Sequence, residues 1–229
     1  NIREYSGPFD YLFIDLETVF ELTSTKMEKF LTNIEPFLQN SSNTYIHPDL
    51  QYLKSQGGVH YMAHSYNNTL LRVNTNYLDT SGSNNVYEWK RQCIFHHNDI
   101  FNSNIYATLT RRKHRYNTIV ENHSDTTCLF HVTRIEHITD ISDYIQSIIR
   151  LRQKYDIQLY LIIIVCCDNL PNSVHFTNKT LFIVKKVNPY SIQIISGDGT
   201  DNCNTSFTDE INVIKNYIDF NLKKLNELE

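Results

Sequence analysis

The sequence predicts an α/β fold: a mixed sheet with helices on both faces and an irregular N-terminal half, in a single domain over residues 1–229. Three stretches carry that expectation. Leu159 to Val165 is a continuous apolar run rich in β-branched residues, and Cys128 to Thr133 is a shorter run of the same kind. Between them, Asp140 to Tyr155 places Ile141, Tyr144, Ile145, Ile148, Ile149 and Leu151 at helical spacing. A run that is apolar on both faces needs cover on both sides, so the pattern predicts two parallel strands joined by a crossover helix.

The other elements follow in chain order. Apolar residues at Leu16, Val19, Phe20, Leu22, Met27, Phe30 and Leu31 predict a helix from Leu16 to Asn33, closed by Pro36 and the polar cluster Asn40 to Asn43. Short strands are expected around Val59 to Ala63, Leu70 to Asn74 and Arg91 to His96, with Thr80 to Asn85 (TSGSNN) as a loop. Ile105 to Val120 alternates basic and apolar positions like an amphipathic helix, and Asn122 to Thr126 is its polar exit. After the parallel unit, Leu181 to Lys185 and Ser191 to Ser196 flank Asn188-Pro189 and read as an antiparallel hairpin added to the sheet. Ser206 to Leu225 closes the chain as a helix with Phe207, Ile211, Ile214, Ile218 and Leu222 on one stripe.

Composition removes several function classes. A net charge of -4, spread along the chain, gives no global field toward nucleic acid or anionic lipid, so neither is expected as a partner. The five cysteines are odd in number, irregularly spaced and without a CxxC pair, which argues for a reducing compartment and against a disulfide framework or a thiolate zinc site. The opening NIREYSGPFDY is no signal peptide, and the longest apolar stretch, Leu159 to Cys167, falls well below the roughly 20 residues that span a bilayer. A cytoplasmic protein is expected, with no cofactor and no resident metal.

Four segments hold side chains with chemical potential. In Ser6-Gly7-Pro8-Phe9-Asp10-Tyr11 a turn sets Asp10 between aromatic rings, where a carboxylate is partly desolvated; capping the following helix is its plainer role. Phe95-His96-His97-Asn98-Asp99 places two imidazoles and a carboxylate after an apolar stretch. On a strand the two histidines face opposite ways, so a joint metal site there, or one with His60 and His64, is not favoured. Arg111-Arg112-Lys113-His114-Arg115 is the strongest positive patch: either a solvated helix face with one arginine turned inward, or a clamp for phosphate or a nucleotide sugar. Ser196-Gly197-Asp198-Gly199-Thr200-Asp201 lacks the spacing of a calcium loop, and no P-loop, GxGxxG turn or GxSxG elbow occurs.

Three of these segments, SGPFDY, FHHND and LTRRKHRY, stand in the order of a family of unassigned function described as papain-like cysteine peptidases. The chain resembles that family over about residues 1–170. Its members carry an SxPFDW-type motif, a His-Asp or His-His-Asn element, and an arginine pair in a helix ending in Arg-Phe. Tyr11 and Tyr116 here replace the family's tryptophan and phenylalanine. The family occurs in bacteria and large DNA viruses, sometimes beside surface-glycan genes; a viral member would work in the host cytoplasm.

The resemblance implies a cysteine hydrolase in which His97 or His96 is the base and Asp10 or Asp99 the orienting group; Arg111, Arg112, His64 and Asp99 are the residues expected to bind a protein or glycan substrate. It also places the nucleophilic cysteine upstream of the SGPFDY segment, so the chain is expected to be part of a longer protein that lacks its nucleophile here. Cys93 lies about 13 Å from His97 in an extended chain and reads as a buried structural thiol. Two alternatives stand beside this reading: a glycan-modifying or nucleotide-sugar-binding enzyme, and a catalytically inactive viral interaction module.

Overall fold

A computed structural model describes residues 7–9, 12–38, 70–77, 93–95, 100–123, 127–135, 138–177, 179–186 and 208–222. The chain is α/β and divides into two compact units. One comprises Asn1–Asn85, Trp89–Asn122 and Leu151–Ile157; the other comprises Val86–Glu88, His123–Arg150 and Gln158–Glu229. The expected strands at Val59 to Ala63 and Ser191 to Ser196 and the loop at Thr80 to Asn85 lie outside the described residues.

The first unit is built on an antiparallel sheet of β1 (Leu12–Ile14), β2 (Ile34–Leu38), β3 (Leu70–Asn74) and β4 (Cys93–Phe95), in the order β1-β4-β3-β2. Helix α1 (Leu16–Ser24) follows β1 directly. Asp15 caps it, its carboxylate accepting from the Thr18 N–H at 2.9 Å and the Thr18 hydroxyl at 2.7 Å. The helix α2 (Ser103–His123) matches the amphipathic stretch read from the sequence.

The expected helix to Asn33 stops at Ser24. The Thr25 N–H bonds the Glu21 carbonyl, and the backbone turns left-handed at Lys26 (φ 52) and Met27 (φ 61). Left-handed backbone costs about 1–2 kcal/mol per non-glycine residue, and two anchors offset it here. Met27 is fully buried, and Asn117 Nδ2 donates to the Lys26 carbonyl at 2.7 Å. The apolar spacing runs past the helix because Met27 and Phe30 reach the same core from a turn. Buried Asn74 secures that turn, donating to the carbonyls of Lys29 (2.9 Å) and Phe30 (3.1 Å) and accepting from the Asn76 N–H (3.1 Å). Pro36, read as a helix stop, lies in β2, at the edge of the sheet, where its missing N–H breaks no ladder.

In the second unit, β5 (Cys128–Arg134), α3 (Ile141–Lys154) and β6 (Tyr160–Cys167) form the predicted strand, helix and parallel strand, with Cys128 opposite Tyr160 and Arg134 opposite Cys166. β8 (Thr180–Lys186) lies parallel on the other side of β6, and β7 (Ser173–Thr177) closes the order β5-β6-β8-β7 antiparallel to β8. The hairpin predicted between Leu181 to Lys185 and Ser191 to Ser196 is thus corrected. Both edges of β8 are taken, by β6 and β7, and its hairpin partner is the strand before it.

Helices cover both faces of this mixed sheet. Ile162, Ile164, Cys166, Leu181 and Ile183 pack with Tyr217, Val213, Ile214 and Ile218 of α4 (Thr208–Leu222). On the opposite face Tyr144 of α3 meets Phe182 edge-on, with ring centroids 6.3 Å apart. Seven consecutive buried residues in β6, Leu161 to Cys167, are the direct result.

Candidate functional site

The core of the first unit brings the three motif segments together. Leu22, Met27, Phe30, Cys93, Phe95, Ile100 and Leu109 form one buried cluster, with Phe9 and Tyr116 packed against it. Phe9, from SGPFDY, meets Tyr116, from LTRRKHRY, edge-on with centroids 5.2 Å apart. Phe9 also contacts Phe30 at 6.2 Å, and Phe30 contacts Phe95, the first residue of FHHND, at 5.7 Å. In the β1/β4 pair Leu12 stands opposite Phe95. Because that pair is antiparallel, the first residue of β1 and the last residue of β4 stand at the same end of it.

Asp10, His64, His96, His97 and Asp99 lie outside the described residues, as do His60 and the Ser196 to Asp201 loop. Arg111 is exposed on α2, its Nη2 donating to Thr108 Oγ1 at 3.5 Å, and Arg112 is half-buried. Among the described residues neither has a carboxylate partner, in contrast to Lys26, which pairs with Glu121 at 2.8 Å one end of the helix away.

Four cysteines are described, all as free thiols. Burial pushes the Cys93 thiol far up, and the charge of nearby Asp15 adds to the effect. Burial alone pushes Cys128 up to about 12, and it also raises Cys167. A thiolate is the attacking species in cysteine chemistry, so these three sites hold the unreactive form at neutral pH. Cys166 is fully buried in β6. Cys93 is thus the structural thiol its strand position suggested.

In the second unit the parallel strands end level. Arg134 is opposite Cys166 and Cys167 is opposite Lys186, so the residues near Arg134 and Asp168 share the carboxyl edge, the usual ligand edge of open α/β sheets. Sequence reasoning missed two side-chain groupings in this sheet. His175 Nε2 lies 3.0 Å from Ser173 Oγ on β7, and Lys185 of β8 pairs with buried Glu210 of α4. Asp140 caps α3 and has its carboxyl held below the usual range by the Ser142 N–H and hydroxyl, with a smaller contribution from His175. The spacing Asp140-x-Ser142 is a cap signal legible in sequence, whereas nothing in sequence marks the other two. The Ser173–His175 bond runs between alternate residues of one strand, and among the described residues no carboxylate bonds the second ring nitrogen to serve as the orienting member of a catalytic triad.

No group of three or more His, Cys, Asp or Glu side chains placed to hold a metal occurs among the described residues. No described helix is long and apolar enough to cross a membrane. Comparison with protein-family models, curated proteins and solved structures returned no match to this chain.

Proposed function

We propose that the first unit carries the histidine–carboxylate part of a cysteine-hydrolase-like site acting on a protein or glycan, with Asp10 orienting His97 or His96 as base. One observation carries this reading. β1, which begins two residues after Asp10 in the sequence, and β4, which ends immediately before His96-His97, are hydrogen-bonded antiparallel neighbours with Leu12 opposite Phe95. A base and its orienting group need contact distance, and the pairing of Leu12 with Phe95, described residues close in sequence to Asp10 and His96, supports that reading. The nucleophile is not Cys93, Cys128, Cys166 or Cys167, whose burial keeps them protonated or enclosed.

The test is a proton NMR titration of the imidazole C–H resonances in the wild type and in Asp10→Asn. A carboxylate beside an imidazole favours the charged ring, so its loss is expected to lower one histidine pKa by about one unit. Titration curves that superimpose for every histidine would refute the pairing.

A second reading, a nucleotide-sugar-binding or glycan-modifying domain, is favoured by the lack of carboxylate partners of Arg111 and Arg112 among the described residues. Guanidinium groups not already paired within the fold are available to phosphate. A nucleotide-sugar panel is expected to raise the melting temperature of the wild type but not of Arg111→Ala or Arg112→Ala. Equal shifts in all three proteins would remove this reading.

A further inference from the structure

The two sheets treat their edges differently. In the first unit the β2 edge carries Glu35 and Pro36, both deterrents to strand addition. In the second, the β7 edge reads Ser173-Val174-His175-Phe176-Thr177, with no lysine, carboxylate, proline or bulge. Among the described residues its only strand partner is β8, and Val174 and Phe176 are 52% and 59% exposed. An open edge with two large apolar side chains is a template for another strand.

We propose that this edge joins a second copy of the chain, β7 to β7 and antiparallel, about a two-fold axis at His175. The strand is complementary to itself in that register. Ser173 falls opposite Thr177 of the second copy, and Val174 opposite Phe176, with His175 on the axis. Hydroxyl pairs and aromatic–β-branched pairs are among the favourable cross-strand contacts, and no like-charged lysines or carboxylates are set against each other. A parallel pairing would need no two-fold and would not close, whereas the antiparallel one gives a closed dimer.

The axis stands perpendicular to the sheet, so both copies turn Val174 and Phe176 to the same face. That is the face on which Phe176 already meets Tyr217 of α4, with ring centroids 5.6 Å apart. Four exposed apolar side chains become one strip between two α4 helices, and two four-stranded sheets become one of eight. A five-residue seam is short beside the roughly 800 Å² per partner of a standard interface. The dimer is therefore expected to dissociate on dilution.

Sedimentation equilibrium over a dilution series tests this on the full chain. The wild type is expected to approach twice the monomer mass at the concentrated end, and Val174→Lys and Phe176→Lys to remain monomeric with melting curves like the wild type's. His175→Cys, whose two copies would face each other across the axis, is expected to form a disulfide-linked dimer on mild oxidation. Phe130→Cys, exposed on the opposite edge strand β5, is expected not to. A wild type that is monomeric throughout, a dimer that survives both lysine substitutions, or cross-linking through Phe130→Cys in place of His175→Cys would each overturn the proposal.

Discussion

The Tyr116 hydroxyl and Thr23 Oγ1 share a hydrogen bond at 2.8 Å that either can donate, and Thr23 Oγ1 also lies within hydrogen-bond distance of the Val19 carbonyl, at 2.7 Å. The bond joins α2 to α1 beside the ring contact between Phe9 and Tyr116. Tyr116→Phe keeps that ring packing and loses one hydrogen bond. It is expected to destabilise the protein by about 1 kcal/mol in urea denaturation, against about 3–5 kcal/mol for Tyr116→Ala.

Burial pushes the Tyr116 phenol up to about 12 from an ordinary value of 10.0, with Thr23 moderating the rise. The folded state thus holds this proton more tightly than the unfolded state. The resulting stability is fully present below pH 10 and is lost as pH climbs through about 12. Denaturation midpoints measured across that window should fall less steeply for Tyr116→Phe than for the wild type.

Thiol reactivity follows from burial. With Cys128 pushed up to about 12, its thiolate fraction at pH 7 is about a thousandfold below that of a free cysteine. Brief iodoacetamide treatment of the native protein, mapped by peptide mass spectrometry, should leave Cys93, Cys128, Cys166 and Cys167 unlabelled and label all four after unfolding. Rapid native labelling of any of them would contradict the packing described.

Lys185 and Glu210 form a largely buried ion pair, and the second carboxylate oxygen of Glu210 has no hydrogen-bond partner. Removing one charge strands the other. Lys185→Met is expected to cost about 3–5 kcal/mol, while Lys185→Met with Glu210→Met should recover most of that loss. A double-mutant cycle in guanidinium chloride gives the comparison.

Much of the second unit was legible in the sequence because its signals are long. An apolar run such as Leu159 to Val165 can only be a strand covered on both faces, and the helical spacing from Ile141 to Leu151 has room to repeat. The errors fall where one residue serves two patterns. Met27 and Phe30 continue the spacing of α1 from a turn, which periodicity alone cannot separate from helix. β1 has three residues, too few for an alternation to show, and β7 escaped notice because the stronger signal of Asn188-Pro189 drew the hairpin downstream. Of the candidate site, the sequence supplied the motif order, and the packing of Phe9, Phe95 and Tyr116 in one cluster gives that order a physical location. The Lys185–Glu210 pair joins residues with no periodic relationship, so only the fold reveals it.

The strand order β5-β6-β8-β7 bears on how the chain is made. Synthesis delivers β7 before β8, yet β7 has no place in the sheet until β8 fills the slot between it and β6. A nascent chain that ends short of Thr180 therefore leaves the inner edge of β6 open, with an apolar run from Leu161 to Cys167 beside it. Slow, non-local pairing of this kind exposes aggregation-prone edges during folding. Residues as far as Lys186 must therefore leave the ribosome before the sheet can close.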